Sequence, residues 1–289
     1  MSADIQRIDR DSGRYPDLLR VIPDPPALLY ARGAFMGGTP TLAIVGTRRP
    51  TLYGRRAARN LAAACAGAGI TVVSGLARGI DTEAHRAALE AGGTTWAVLG
   101  SGIDRIYPPE NRGLAERIVS ARGALISEQA PGTPPLAHHF PPRNRIISGL
   151  SWGVVVVEGG LRSGTLITAK AALEQGREVF AVPGPVDSPM SEGPHRLLRS
   201  GACLARGLED ILHEIAAFRG LRPAAAAGGS PVVTLEDKKI LNLLGSETLS
   251  FEELLSRTDW PLPRMAQVLT GLETQGIICA LPGQRYGRS

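Results

Sequence analysis

Cysteine is scarce in this chain of 289 residues: Cys65, Cys203 and Cys279 are the only three, and they lie far apart. An odd number of cysteines with no CxxC spacing predicts neither a disulfide framework nor a zinc site, and it fits a reducing compartment. Long apolar runs are also missing. The first residues, MSADIQRIDRDSG, do not resemble a signal peptide, and no run approaches the length of a membrane span. We therefore expect a cytoplasmic protein that does not enter a membrane.

Two phosphate-binding fingerprints are missing as well. No GxxxxGK[ST] segment occurs, and GTRRPTLYG, which lies where a GxGxxG motif would open a helix, lacks the second and third glycines of that motif. Bound NAD, FAD or ATP is therefore disfavoured, and we predict no cofactor. His138 and His139 have no partner at metal-ligand spacing, so we predict no metal site.

Short apolar runs alternate with helical patterns over most of the chain. The apolar runs lie at 41–46, 71–75, 94–100, 124–128, 153–160 and 178–184, and the main helical patterns at 53–68, 82–91, 109–121 and 164–176. Strands that are apolar on both faces and separated by helices predict an α/β protein with a mostly parallel sheet and helices on each side, a Rossmann-like fold.

The chain is predicted to have four parts. Residues 1–40 form an N-terminal extension that packs on the Rossmann-like domain at 41–221. The small-residue, breaker-rich stretch RPAAAAGGSP, at 222–231, is typical of a linker. Residues 232–289 contain three helical patterns followed by GIICALPGQRYG, a candidate β-ribbon, which predicts a small winged-helix-like domain.

Positive charge is concentrated in the first parts of the chain. The formal net charge is +5, but residues 230–289 contain six Lys and Arg against seven Asp and Glu, so the 26 basic and 20 acidic residues of 1–229 carry +6. This excess points to an anionic partner such as nucleic acid. The last helical pattern carries Arg264 against Glu273, so contact with a protein is at least as good an interpretation of the C-terminal domain as duplex reading.

Candidate binding residues follow the predicted strands. The carboxyl ends of parallel strands meet at one edge of the sheet, where such folds bind ligands. Glycines there let phosphates approach the backbone, helix N-termini provide donors, and an aromatic ring offers a surface for a base. The residues predicted to bind a single-stranded nucleic acid are Gly46, Thr47, Arg48, Arg78, Phe140, Arg143, Asn144, Arg145, Ser163, Gly164 and Thr165.

The segment HHFPPRNRIISGLS, at 138–151, predicts a helix that begins near Pro142, because proline suits the first helical turn and an apolar stripe follows. Arg143 and Arg145 then lie in the first turn, where the helix dipole disfavours a cation. We interpret them as ligands of an anion, together with free backbone N–H groups of the same turn.

Capping competes with function at several of these positions. Asp81 and Asp104 are available as catalytic carboxylates, but Asp81 also suits a helix N-cap, and capping is the favoured interpretation. Ser163 and Thr165 precede a helical pattern, so they too fit a cap alone.

Several segments resemble the DNA-processing protein A family, also called DprA or Smf, over roughly residues 16–215. They are AIVGTRRPTLYG, VVSGLARGIDTEAHRAAL, AVLGSGIDRIYPPEN, FPPRNRIISGLSWGVVVVEG, SGTLITAKAALEQGREVFAVPG and GPHRLLRSGA. The resemblance implies an extended Rossmann fold that forms homodimers and often carries a C-terminal winged helix. It also implies a cytoplasmic bacterial protein that binds single-stranded DNA during natural transformation, protects it and helps to load RecA recombinase.

The family's DNA pocket matches two segments of this chain. Its strand-end Gly-Ser/Thr-Arg motif corresponds to 46–48, and its FPxRNRIISGLS segment corresponds to 140–151. The N-terminal part is too short for the extra helical domain of fuller members, so no role of that domain is carried over.

Three other functions compete with this interpretation. EGGLRSGTLIT resembles the PGGxGTxxE motif of lysine-decarboxylase-like nucleotide phosphoribohydrolases, but Thr168 stands where their catalytic glutamate would be. A nuclease needs clustered carboxylates to hold metal ions. A winged-helix transcriptional regulator needs a basic C-terminal domain to neutralise duplex phosphates. The sequence therefore favours a mediator of recombination with no catalytic residues.

Overall fold

The computed structural model describes residues 5–35, 37–161, 163–222, 234–245, 247–274, 277–281, 283 and 285–288. The chain divides into two compact units, 1–225 and 226–289. The linker predicted at 222–231 and the first residues of the domain predicted at 232–289 lie almost wholly outside the described residues. No helix in the described part is long and apolar enough to cross a membrane.

The first unit is a nine-stranded sheet with helices on both faces. Its strands are β1 (Gln6–Asp9), β2 (Leu28–Gly33), β3 (Thr41–Val45), β4 (Thr71–Ser74), β5 (Thr95–Leu99), β6 (Ala124–Ser127), β7 (Gly153–Val156), β8 (Glu178–Ala181) and β9 (Cys203–Leu204). Its helices are α1 (Asp17–Arg20), α2 (Leu52–Gly67), α3 (Ile80–Glu90), α4 (Arg112–Ser120), α5 (Phe140–Gly149), α6 (Gly164–Glu174), α7 (Glu192–Arg199) and α8 (Leu208–Glu214), with short 3₁₀ turns at Pro109–Asn111, Ala137–His139 and Ala216–Phe218.

Alternation along the central strand explains why both faces are covered. In β3, Leu42 and Ile44 pack with the apolar faces of α2 and α3, whereas Ala43 and Val45 pack on the side of α5 and α6. All five residues of this strand are buried. A strand that is apolar on both faces needs a helical layer on each, as the sequence predicted.

The sheet order is β1-β2-β6-β5-β4-β3-β7-β8-β9. Strands β3 to β9 pair in parallel, which confirms the mostly parallel sheet. β1 and β2, both from the N-terminal extension, add to the edge in antiparallel pairs, with Tyr30 opposite Ser127. The extension therefore belongs to the sheet itself, where it covers hydrogen-bonding groups that β6 would otherwise leave open.

The strand order reverses at β3. From there the chain runs through β4 and β5 to β6 on one side, and later through β7 and β8 to β9 on the other. Such a switch point leaves a crevice outside the carboxyl ends of the two diverging strands, where open α/β sheets bind ligands. The loops that follow β3 and β7 flank this crevice.

The second unit has three helices and a small sheet. They are α9 (Leu235–Leu244), α10 (Phe251–Thr258) and α11 (Leu262–Thr274), with β10 (Leu249–Ser250), β11 (Ile278–Leu281) and β12 (Arg285–Arg288) in the antiparallel order β10-β12-β11. Capping boxes open two of the helices, at Thr234 with Asp237 and at Ser250 with Glu253. The three predicted helices and the β-ribbon are present, whereas the two-residue strand β10 was not predicted.

Candidate nucleic-acid interface

A cavity of about 670 Å³ lies at the switch point between β3 and β7. The residues of the predicted set that line it are Gly46, Thr47, Arg48, Phe140, Arg143, Asn144, Ser163, Gly164 and Thr165. They come from the loop after β3, from the first turns of α5, and from the start of α6 after the β7 loop. The structure thus brings most of the predicted binding residues together, and it leaves Arg78 and Arg145 outside the lining.

Arg48 is an exposed cation of the cavity. Its guanidinium carbon lies 6.0 Å from the centre of the Phe140 ring, and no carboxylate pairs with it among the described residues. Arg49 beside it is also exposed and lines the cavity. An unpaired guanidinium at a ligand-binding edge is free to donate a charge-assisted hydrogen bond to an anion.

Arg143 has a different position, because its side chain is buried beneath the cavity. Nη1 donates to the carbonyl of Gly75 at 2.7 Å and to the carbonyl of Val98, so the guanidinium joins the ends of β4 and β5. A Cβ at Gly75 would displace the guanidinium from this position, because it would lie 2.4 Å from Nη1. Burial lowers the pKa of Arg143 to about 10, against the opposing effect of Asp81, and the group stays charged at neutral pH.

The first turn of α5 has fewer free backbone N–H groups than predicted. The helix begins at Phe140, two residues before Pro142, and the Phe140 N–H donates to the Ala137 carbonyl of the preceding 3₁₀ turn. Pro141 and Pro142 have no N–H. The expectation of free backbone donors in this turn is therefore wrong, because the prolines that mark the helix start also remove its donors.

A free backbone N–H group lies instead at the N-terminus of α6. Ser163 is the N-cap, and its Oγ accepts from the Thr165 N–H at 3.3 Å, so the capping interpretation holds for this serine. The Gly164 N–H has no acceptor within the described part of the chain. It points from the positive end of an eleven-residue helix that opens onto the cavity.

The loop after β3 is held by a buried carboxylate. The Thr47 N–H donates to the Glu158 carbonyl at 2.8 Å, so this amide is not available to a ligand. The Glu158 carboxylate accepts from the Thr51 N–H at 2.9 Å and thereby occupies the N-terminus of α2. A dinucleotide pyrophosphate would bind at that helix end and would meet a negative charge there. Gly46 is required because a Cβ would collide with Ile80.

The two arginines outside the lining are both paired with carboxylates. Arg78 is exposed, and its Nε donates to Glu110. Arg145 is mostly buried and donates to Asp24 and to Glu128, each at 2.8 Å, which links α5 to the N-terminal extension and to the end of β6. Arg145 is close to Arg143 in the sequence, but the two side chains lie on different sides of α5.

Asp81 does not cap α3, in contrast to the prediction. The N-cap is Gly79, and the Asp81 carboxylate accepts from the N–H groups of Gly75 at 3.1 Å and Ala77 at 3.3 Å. Burial raises the pKa of Asp81, although Arg143 acts in the opposite direction. Asp81 is the one carboxylate among the described cavity residues, and its hydrogen bonds fix the loop after β4.

Among the cavity residues that the sequence did not predict, one is aromatic. Tyr107 lies in the loop after β5, is 36% exposed, and its ring centre is 5.7 Å from that of Phe140 at an interplanar angle of 54°. The prediction considered only the charged residues of that loop. An aromatic residue that follows a parallel strand was the signal that could have placed Tyr107 in the cavity.

The cavity lacks an evident agent for hydrolysis. Thr168, at the position of the rival enzyme's glutamate, is buried in the wall. Across the ranges that the structure describes, no group of three His, Cys, Asp or Glu residues could hold a metal ion. Asp104, the other candidate carboxylate, accepts from the Gly132 N–H at 2.7 Å and is not part of the lining.

Comparison with known proteins identifies the family. The family model described as DNA recombination-mediator protein A matches residues 6–216. The chain belongs to this family. A second model, the DprA winged helix domain, matches residues 223–284, which confirms the predicted class of the C-terminal domain.

Relatives extend the match over nearly the whole chain. Protein Smf of Escherichia coli is 44% identical over 282 residues, covering 96% of this chain and 75% of that protein. The crystal structure of DNA processing protein A from Streptococcus pneumoniae aligns with a TM-score of 0.67 and 39% identity, over 73% of this chain and 75% of that one. A structure of the Helicobacter pylori protein, described by its single-stranded DNA binding mode, aligns with a TM-score of 0.63 and 28% identity, over 74% and 97%.

Proposed function

We propose that this chain binds single-stranded DNA in the cavity at the switch point and acts as a recombination mediator, without catalysing a reaction itself. The observation that carries the proposal is the unpaired Arg48 guanidinium beside Phe140, in a cavity that also receives the free Gly164 amide. Cationic groups that hold phosphates, next to aromatic rings that stack on bases, are the two components of single-strand binding sites.

The family supports the same ligand. The Helicobacter pylori relative is described as binding single-stranded DNA, and its fold extends over most of this chain. By extension we propose that this protein binds DNA taken up in natural transformation, protects it and helps to load RecA in the cytoplasm, and that it works as a homodimer. For the DNA site we assign the nine lining residues of the predicted set, with Arg143 acting from beneath the cavity.

A phosphoribohydrolase is the second candidate, because the loop after β7 resembles the motif of those enzymes. Cleavage of an N-glycosidic bond needs a carboxyl group that can exchange protons at the substrate. Asp81 is committed to backbone amides and faces Arg143, and Thr168 offers only a hydroxyl. The cavity therefore favours binding over hydrolysis.

The decisive measurement is fluorescence anisotropy of the full chain with a labelled oligonucleotide, single-stranded or annealed to its complement, over a salt series. We expect tighter binding of the single strand, with an affinity that falls as salt rises. A protein that bound neither form, or that preferred the duplex, would contradict the proposal. RecA loading is then tested by the rate of RecA filament formation on the bound strand, and dimerisation by sedimentation.

A further inference from the structure

The second unit has a third helix with little positive charge. In helix-turn-helix proteins that read duplex DNA, the recognition helix enters the major groove, and α11 is the candidate for that helix here. Its sequence, LPRMAQVLTGLET, contains one arginine, Arg264, which pairs with Glu236 of α9, and one glutamate, Glu273, which is exposed. A helix of this composition neutralises few phosphates of a duplex.

The arginines of the β-ribbon are also engaged within the second unit. Nη2 of Arg285 donates to the Thr248 carbonyl and lies 3.6 Å from the Glu253 carboxylate. Nε of Arg288 donates to the Leu241 carbonyl at 3.1 Å. Both side chains therefore hold the ribbon against the rest of the unit. In its described part, the unit has the fold of a DNA reader without unpaired arginines on α11 or on the ribbon.

Two leucines at one end of this unit are highly exposed. Leu235, the first residue of α9, is 84% exposed, and Leu262, the first residue of α11, is 59% exposed. The two helix starts lie side by side, because Glu236 pairs with Arg264. Trp260, which is half-buried, precedes α11 and adds ring surface. We call Leu235, Trp260 and Leu262 the apolar patch, and a cluster of this kind among polar residues is typical of a protein-interaction surface.

Cations surround the apolar patch. Nζ of Lys239 lies 5.4 Å from the centre of the Trp260 ring, and the guanidinium carbon of Arg264 lies 5.7 Å from it. Lys238 and Lys239 are exposed and lie one turn beyond Leu235 on the same side of α9. No carboxylate pairs with either lysine among the described residues. Both ammonium groups are therefore available to a partner.

The carboxylates next to the patch in sequence do not cancel these two charges. Glu236 is paired with Arg264, and Asp237 is buried in the cap of α9. Asp259 is exposed and faces two unpaired lysines in the count. Because residues 230–289 together carry −1, the patch is the positive end of a weakly acidic unit. A partner that covers it must supply negative charge as well as apolar surface.

We propose that the apolar patch docks a protein, namely an acidic segment that carries an apolar side chain. The apolar side chain packs on Leu235 and Leu262, and the carboxylates of the segment pair with Lys238 and Lys239. A nucleic acid fits this surface less well, because phosphates make no use of leucine side chains. The inference goes beyond the proposed function, since it concerns the second unit alone and does not depend on single-strand binding.

The test begins with selection from a random-peptide display library on the immobilised full chain. We expect enrichment of peptides that combine Asp or Glu with Leu, Ile, Phe or Trp. Anisotropy of a labelled enriched peptide then compares the variants. Leu262→Ser should weaken its binding roughly 5- to 30-fold, because part of the burial of a leucine is lost, while Leu262→Met stays close to wild type. Lys238→Glu should also weaken binding, by an amount that shrinks as salt rises.

Matched controls lie in the first unit. Val186→Ser removes an aliphatic residue that is 93% exposed, and Arg199→Glu makes the same change of net charge as Lys238→Glu, so neither should affect peptide binding. Arg48→Ala should bind the peptide normally, so a failure of single-strand binding leaves this inference standing.

Three outcomes would overturn the inference. The first is a selection that enriches no acidic, apolar peptides. The second is an enriched peptide that Leu262→Ser binds as tightly as the wild type does, because the peptide then uses another surface. The third is a loss of duplex DNA binding in Leu262→Ser and Lys238→Glu with unchanged peptide binding, which would make the patch a nucleic-acid surface.

Discussion

The guanidinium of Arg48 lies over the ring of Phe140 and is exposed, without a carboxylate partner in the described part of the chain. A cation–π contact at an exposed position is worth only about 0.5–1 kcal/mol, so a phosphate can readily draw the arginine away. In this position Arg48 is available to an anion without first breaking an ion pair. Arg49, beside it, is likewise exposed, whereas Arg78 and Arg145 near this edge would have to give up a carboxylate to bind an anion.

Arg48→Ala should weaken single-strand binding by roughly 10- to 150-fold, because a charge-assisted hydrogen bond contributes about 1.5–3 kcal/mol. The slope of log affinity against log salt should fall by about one. Anisotropy over a salt series measures both. The matched control is Arg199→Ala, which removes another exposed arginine with no partner among the described residues, at the end of α7 and on the opposite edge of the sheet. Equal losses in the two variants would contradict a local role for Arg48.

Gly164→Pro isolates the contribution of one backbone amide. Proline suits the first position of a helix, and Ser163, at φ −71° and ψ 142°, already has the extended conformation required before proline. We expect a stable protein with a single donor removed and with weaker binding of single-stranded DNA. Gly164→Ala keeps the N–H and places its Cβ in open space, so it should bind like wild type. Normal binding by the proline variant would remove the amide from the site.

Arg143→Ala should destabilise the first unit by about 1–3 kcal/mol, the usual cost of leaving buried polar groups without their hydrogen-bond partner. The substitution leaves the carbonyls of Gly75 and Val98 without this donor, and it also removes the positive charge of Arg143 that favours the ionised form of the buried Asp81. Urea unfolding of the wild type and the variant measures this change in the free energy of unfolding. Asp81→Asn in the same background should recover part of the stability, and no recovery would show that the two groups are not coupled.

Arg145→Ala should affect folding stability and leave DNA affinity nearly unchanged. Its two ion pairs are only partly buried, so we expect a loss of roughly 1 kcal/mol for each at most. Asp24→Asn and Glu128→Gln should each reproduce about half of the effect in urea unfolding. A strong loss of single-strand binding with intact stability would place Arg145 in the DNA site instead.

His85 should make the protein sensitive to mild acid. It is fully buried beside Thr95, and burial, helped by Arg143, lowers its pKa to about 3. In the unfolded chain it titrates near 6.5, so between these values the unfolded state binds one more proton than the folded state. Stability is therefore present above pH 6.5 and is lost at about 1.4 kcal/mol per pH unit as the pH falls towards 3.

Urea unfolding at pH 6.5 and pH 5 measures this slope. His85→Gln should remove about 2 kcal/mol of the pH dependence across that interval, whatever its own effect on packing. The hydrogen bonds explain why the ring stays neutral: Thr95 donates its hydroxyl proton to Val72, so it accepts from Nδ1 of His85, and Nε2 has no partner. An unchanged slope in the variant would show that His85 does not control the acid sensitivity.

Periodicity was enough to predict the central sheet and the cavity edge. The buried strand at Thr41–Val45 is too short and too uniformly apolar for anything other than a strand between two helical layers. Once parallel strands are established, their carboxyl ends must meet, and this alone places Arg48, Ser163 and Gly164 in one cavity. The two strands added by the N-terminal extension were not predicted, because a short edge strand has no periodic signal of its own.

Which cation is free could not be predicted from the sequence. Arg143 and Arg145 are two residues apart, yet one lies buried against carbonyls from β4 and β5, and the other pairs with Asp24, 121 residues away. In the same way, the contact between Tyr107 and Phe140 joins loops that follow different strands.

The sequence by itself determined the fold class, the edge of the sheet where the candidate site lies and the family, because hydrophobic period, strand ends and motifs are local properties of the chain. Only the tertiary structure decided that Arg48 and the Gly164 amide have no partner in the described part of the chain, that Thr47 and Arg143 are engaged, and that Tyr107 is exposed to the cavity. The reason is physical: whether a charge or a donor is free depends on partners that are distant in sequence, and on how much water the packed side chains exclude.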